Sequence, residues 1–168
     1  LNWYKLLTPL DVTTAQLVDG YNNFSEVFAP LDPDASYPKP KSVFFKPDGT
    51  KMFALIENNV YQFSLAVPWQ IYGAVYDNKY ASASQVDRKL PWALAFSNDG
   101  NKMYVSTIGL DSSLYQYTLS NWDLATVAYD HVKIQFHSTP AGITFNNAGT
   151  KLYVAGNVGL YAPTIDLA

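Results

Sequence analysis

PWALAFSNDGNKMYVS, running from Pro91 to Ser106, decides how the chain is read. Leu94 and Phe96 alternate at period two, an Asn-Asp-Gly turn follows at Asn98 to Gly100, and Met103 then alternates with Tyr104. That is the pattern of a β-hairpin. Glycine at the turn supplies the positive φ that other residues resist. On the second strand, bulky side chains point to both faces, so both faces of the sheet need a neighbour.

The same pattern recurs on either side, as PKSVFFKPDGTKMFAL from Pro40 and PAGITFNNAGTKLYVA from Pro140. Gly49, Gly100 and Gly149 hold one repeat position, 51 and then 49 residues apart. A period near fifty is the mark of a repeat architecture. Each prolines-to-glycine head is followed by a tail: VYQFSLAVPWQIYGAVYD from Val60, LYQYTLSNWDLATVAYD from Leu114, and a shortened VGLYAPTIDLA from Val158. A fourth tail opens the chain, where LNWYKLLTPLDVTTAQLV places Tyr4 with Phe63 and Tyr117, Leu6 with Leu65 and Leu119, and Pro9 with Pro68.

The tail supplies a third strand, such as Tyr115 to Leu119. After a corner at Trp69 or Trp122 comes a fourth, around Ala74 to Tyr76 or Val127 to Tyr129. Four short strands per repeat make an all-β, propeller-like blade. Pro40, Pro91 and Pro140 stand where the innermost strand begins, a position that tolerates a missing N–H. The small pairs Ala93 and Ala95, then Gly142 and Thr144, allow a neighbouring sheet to come close; the first copy has Ser42 and Phe44 instead.

One domain over residues 1–168 is expected. It divides into a partial blade (1–18), an inserted loop (19–39), blades at 40–89 and 90–139, and a shortened blade at 140–168. The loop carries Ala29-Pro30, Asp32-Pro33-Asp34 and Tyr37-Pro38-Lys39-Pro40, which is turn chemistry. A ring takes about four to eight blades. Three routes are therefore open: an unclosed arc, a ring completed by another chain, or a segment of a longer propeller. Leu1 in place of Met, with no leader pattern, points to processing or to a longer product.

Composition narrows the function. Charged residues make up 15% of the 168, against about a quarter in ordinary soluble domains. Eleven basic and 14 acidic residues, with no basic run, argue against a nucleic-acid partner. The absence of cysteine excludes a disulfide framework, thiolate catalysis, a zinc ribbon and an iron–sulfur site. The longest apolar stretch, Leu90 to Phe96, is interrupted by Pro91 and far short of the roughly 18 to 20 residues that span a bilayer, so no membrane insertion is expected.

The best-matching copy, Phe96 to Val105 with Leu114 to Ser120 and Trp122 to Val127, resembles the degenerate β-propeller repeats of the YVTN and lactonase-like class. The variant is similar to repeats in bacteriophage virion structural proteins and in secreted bacterial surface proteins. The resemblance covers about residues 1–18 and 40–168, and it implies the architecture far more than any activity.

A lactonase-type site would need acidic and asparagine side chains converging on a metal at the axis. The innermost strands here read Ser42-Val43-Phe44, Ala93-Leu94-Ala95 and Gly142-Ile143-Thr144. No nucleophile elbow, P-loop or dinucleotide fingerprint is present. Asp48-Gly49 and Asp99-Gly100 are read as turns in preference to calcium ligands, since the third copy has Ala148. Asp32 and Asp34 are read as a solvated loop. His131 and His137 would share one strand face and are read as surface histidines. Trp69 and Trp122 are read as buried structural corners, with Trp92 beside a strand start and Trp3 in the opening tail. The non-repeated aromatics Tyr21, Phe24, Phe28 and Tyr37 in the insertion mark the expected docking surface.

The expected function is that of a non-enzymatic structural and docking protein on a bacteriophage virion surface. It would be a capsid knob or decoration protein, or a tail-associated module, and the virion attribution comes from the resemblance alone. Other virion proteins are the expected partners, self-association is a further route, and no cofactor or metal is expected. The alternative is a glycan- or protein-binding propeller of a bacterial surface or secreted protein.

Overall fold

The computed structural model describes residues 3–19, 40–83, 90–109, 112–136 and 139–156. They are all-β apart from one short 3-10 turn, Val12–Thr14. The chain opens with a hairpin of β1 (Trp3–Leu6) and β2 (Ala15–Asp19). A four-stranded antiparallel sheet follows, with β3 (Pro40–Phe45), β4 (Lys51–Ile56), β5 (Asn59–Ser64) and β6 (Val75–Ser82) in sequence order. The second has the same order, with β7 (Leu90–Phe96), β8 (Lys102–Ile108), β9 (Ser113–Ser120) and β10 (Asp123–Gln135). Last comes a pair, β11 (Pro140–Phe145) and β12 (Leu152–Gly156).

Repetition in sequence becomes repetition in register. Each first strand begins at or next to its proline and carries a bulge directly after it, between Pro40 and Ser42, Pro91 and Ala93, and Pro140 and Gly142. Proline offers no N–H to the ladder, so the irregularity falls where a ladder bond is already missing. The fourth strands are longer than the sequence suggests: β10 covers 13 residues. The alternation expected to put His131 and His137 on one face is broken, because His131 adopts φ +60 at a bulge, as Asn78 does at +56 in β6. His137 lies outside the described residues.

The core is formed at the joints between sheets. Val43, Phe45, Met52 and Ala54 share one face of the first sheet with Phe63, Leu65 and Ile71. Its other face presents Phe44, Phe53 and Leu55 to Leu94, Phe96, Met103, Tyr117 and Trp122 of the second sheet. The second sheet in turn presents Tyr104 to Ile143, Phe145, Leu152 and Val154. One ring pair marks each joint: Phe53 and Phe96 have centroids 4.4 Å apart, Tyr104 and Phe145 4.5 Å. Such pairs add about 0.5 to 1.5 kcal/mol each beyond their buried area. Both four-stranded sheets thus carry apolar side chains on both faces, and β7 packs beside both β3 and β11. Among the described residues the sheets do not close into a ring.

Candidate functional site

Placing β3, β7 and β11 side by side leaves a groove of about 350 Å³ along the innermost strands. Its lining includes Lys41, Ser42, Trp92, Ala93, Asn98 and Thr144. Trp92 is 40% exposed, so its ring is available within the groove. Ser42 Oγ accepts the Leu94 N–H at 3.2 Å, and Lys41 donates to the Glu57 carbonyl at 3.1 Å. Among the described residues no three His, Asp or Glu side chains gather as a metal site.

The repeated turns engage their own polar groups. Gly49, Gly100 and Gly149 have φ of +72, +70 and +70. Asp48 accepts from the Thr50 N–H and hydroxyl and faces Lys46 Nζ at 2.7 Å. The Lys46 bond, followed by those from Thr50, holds its carboxyl well below the usual carboxylate range. Asp99 is lowered by the Ser97 hydroxyl and then by the Asn101 N–H.

Sequence reasoning separates glycine and tryptophan, whereas the fold joins them. The Trp69 backbone N–H donates to the Gly49 carbonyl at 2.9 Å, and the Trp122 backbone N–H to that of Gly100 at 3.1 Å. Each indole lies on its glycine: a Cβ added at Gly100 would stand 2.2 Å from Trp122, and one at Gly49 2.4 Å from Trp69. Burial of both tryptophans does not hold. Trp122 is 4% exposed and Trp69 is 53% exposed. Trp122 is covered by Phe44 and Phe53 of the preceding sheet together with Phe96, while Trp69 stacks on Phe45 alone among the described rings. Tyr21, Phe24, Phe28 and Tyr37, proposed as a docking surface, lie outside the described residues, as do Asp32 and Asp34.

Hydrogen bonds that tie strand to strand and sheet to sheet escaped the sequence reading. Gln62, fully buried, donates through Nε2 to Asp77 at 2.6 Å and accepts the Leu124 N–H of the second sheet at 2.9 Å. The second sheet repeats the first half: Gln116 donates to Asp130 at 2.7 Å, and Lys102 meets the same carboxylate at 2.9 Å. Burial pushes the Asp130 carboxyl up, but the bonds from Lys102, Thr118 and Gln116 outweigh it and leave it lowered. A second tie between sheets joins Lys79 to Asp123 at 2.8 Å. The signal was present in the Tyr-Gln pairs at 61–62 and 115–116 and the Tyr-Asp pairs at 76–77 and 129–130.

No family model and no curated protein matches the chain. Among solved structures, a Bacteroides uniformis protein described as a candidate 6-phosphogluconolactonase is similar at 13% identity and a TM-score of 0.45. The alignment covers 91% of this chain and 56% of that one, so the chain spans little more than half of its length. Among the described residues no helix is long and apolar enough to cross a membrane.

Proposed function

We propose that the chain is a non-enzymatic, propeller-type docking scaffold of a bacteriophage virion, carried on the capsid surface or with the tail. One observation supports the scaffold reading best: the carboxylates of the repeats are engaged in holding the fold. Asp48 and Asp99 close their turns, Asp77 and Asp130 hold glutamines, and Asp123 ties two sheets. The groove is lined instead by small and apolar side chains with a few neutral polar groups and Lys41. Such a surface suits burial against a partner, with aromatic anchors and a polar rim. The virion attribution rests on the resemblance of the repeats.

The test is stoichiometric recovery of the chain with purified capsid or tail structures, resistant to high salt. A chain found only free in the lysate would overturn the virion placement. A second reading, glycan recognition on a bacterial or secreted surface, is favoured by the exposed ring of Trp92 beside Lys41, Asn98 and Thr144. Glycan-array binding abolished by Trp92→Ala would replace the first reading with it.

A further inference from the structure

One local feature supplies a row of three side chains to the groove along β3, β7 and β11. The bulge after each proline leaves one residue out of the ladder, and that residue is Lys41, Trp92 or Ala141. A bulge re-aims the side chain of its extra residue. All three line the groove, which therefore presents a cation on β3, an indole on β7 and a methyl group on β11.

The charge in this row is one-sided. Lys41 is the single charged residue of the lining among the described residues. Its ammonium has three N–H donors. One goes to the Glu57 carbonyl at 3.1 Å, and the Glu57 carboxylate, on a largely exposed side chain, stands 3.7 Å away. A chain of net charge −3 thus holds a cation at this groove with a donor to spare.

Backbone groups supply the second contact. The Ser97 N–H donates to the Lys102 carbonyl and the Asn146 N–H to that of Lys151, both at 3.0 Å. Counting back along each register, the alternation of an antiparallel ladder turns the N–H and C=O of Leu94 and of Ile143 away from their own sheets. The Leu94 N–H finds Ser42 Oγ at 3.2 Å. By repeat position Ala93 stands to Ile143 as Ser42 stands to Leu94, and a methyl group accepts nothing. Ile143, in the groove lining, therefore offers an N–H and a C=O side by side, the pair that one residue of an extended peptide engages.

We infer that the groove takes an extended, acidic segment of the docking partner. An Asp or Glu carboxylate of that segment meets Lys41, an apolar side chain covers the Trp92 ring, and main-chain bonds form at Ile143. A neutral sugar fits less well, because each hydroxyl brings a proton that needs an acceptor and the lining holds no carboxylate. At about 350 Å³ the groove has the size of a small-ligand site, suited to a few residues of chain in place of a domain face. The inference rests on the docking-scaffold reading, whose partner it gives a chemistry, and not on the virion placement.

The probe is a displayed library of random heptapeptides, selected on the 168-residue chain. Enrichment of sequences that set an acidic residue beside an apolar one is expected. Four substitutions then read the contacts separately in the enriched peptide. Lys41→Gln should weaken binding about tenfold or more and bring the peptide level with its own amide counterpart, in which the acid is replaced by Asn or Gln. Trp92→Ala should also cost about tenfold or more. Ala93→Ser gives the Ile143 N–H the acceptor that Leu94 already has, and should weaken binding about fivefold with the sheet spectrum unchanged. Glu57→Gln removes the carboxylate that competes for Lys41 and should strengthen binding. No enrichment, enrichment of basic or uncharged sequences, or an enriched peptide indifferent to Lys41→Gln or to Ala93→Ser would each overturn the inference. If the selection fails while the parent chain is still recovered with virions, the scaffold reading stands and the groove is not its docking site.

Discussion

Replacing Gly100 by alanine tests the joint between turn and tryptophan. Two effects add at this position. The residue has φ +70, and holding an alanine in the left-handed region costs about 1 to 2 kcal/mol. The new Cβ would also stand 2.2 Å from the Trp122 ring, which is packed with Phe44, Phe53 and Phe96 at 5.9, 6.0 and 5.5 Å. The indole must leave that nest, and loss of a buried large aromatic, at about 3 to 5 kcal/mol, bounds the cost. Gly100→Ala is therefore expected to destabilise by more than the backbone cost alone and by at most about 4 to 7 kcal/mol. Gly149→Ala provides the control, with the same φ of +70 and nothing within 4 Å of the added carbon, so about 1 to 2 kcal/mol is expected. Gly49→Ala should fall near the control, because Trp69 is half exposed and can swing into water. Urea unfolding followed by near-ultraviolet circular dichroism measures all three. In a Trp122→Ala background, Gly100→Ala should cost no more than Gly149→Ala does, a coupling of about 2 kcal/mol or more. Equal costs for Gly100→Ala and Gly149→Ala, or no change in that background, would refute the steric argument.

Two further outcomes are expected. Gln62→Leu leaves the buried Leu124 N–H without its acceptor, which should cost about 1 to 3 kcal/mol and speed hydrogen exchange at that amide; unchanged exchange would remove Gln62 as the tie between sheets. Asp123 is lowered by Lys79 and then by the Ala125 N–H, so its contribution is fully present above the unfolded value of about 3.9 and is lost as pH falls below it. The pair is about one-third exposed, so the effect is about 0.2 to 1 kcal/mol. Urea midpoints between pH 5 and pH 2 should fall more gently in Asp123→Asn than in the parent chain, and parallel curves would count against the tie.

The hairpins were legible because everything that makes one lies within sixteen residues: a proline that opens the strand, alternation, and a glycine that turns it. Residues that meet across the sheets were not. Gly100 and Trp122 are 22 positions apart, and only the passage of β8 and β9 between them brings the indole over the turn. The different exposure of Trp69 and Trp122 has no local cause at all. Both sit at the same corner with nearly the same φ, and their surroundings differ because Phe44 and Phe53 belong to the sheet that precedes Trp122. Gln62 and Gln116 alternate with the aromatic residues on either side of them, a pattern that does not separate a buried, bonded glutamine from an exposed one. The bonds from Gln62 to Asp77 and to the Leu124 N–H follow from a bulge in the fourth strand and from the next sheet, and neither is visible in a period-two pattern.

The third turn shows which parts of the repeat are indispensable. Ala148 stands where Asp48 and Asp99 stand, yet Gly149 keeps φ +70 and its N–H still donates to Asn146 at 2.9 Å. Asn146 does the work of Ser97, its side-chain carbonyl accepting the Lys151 N–H at 2.9 Å where Ser97 Oγ accepts that of Lys102 at the same distance. The turn is therefore set by the hairpin and the glycine, and it forms without the aspartate that accepts the Thr50 and Asn101 N–H groups in the other two copies. The tryptophan stack is a separate feature, present on Gly49 and Gly100 whether the indole is half exposed, as Trp69 is, or covered by the preceding sheet, as Trp122 is. Turns can then diverge in their polar residues while the ring pairs at the joints stay aromatic. Phe53–Phe96 and Tyr104–Phe145 keep nearly one spacing although Ser42 and Phe44 have become Ala93 and Ala95 beside them. Tyr153 stands at the repeat position of Phe53 and Tyr104, so the ring is kept in all three copies.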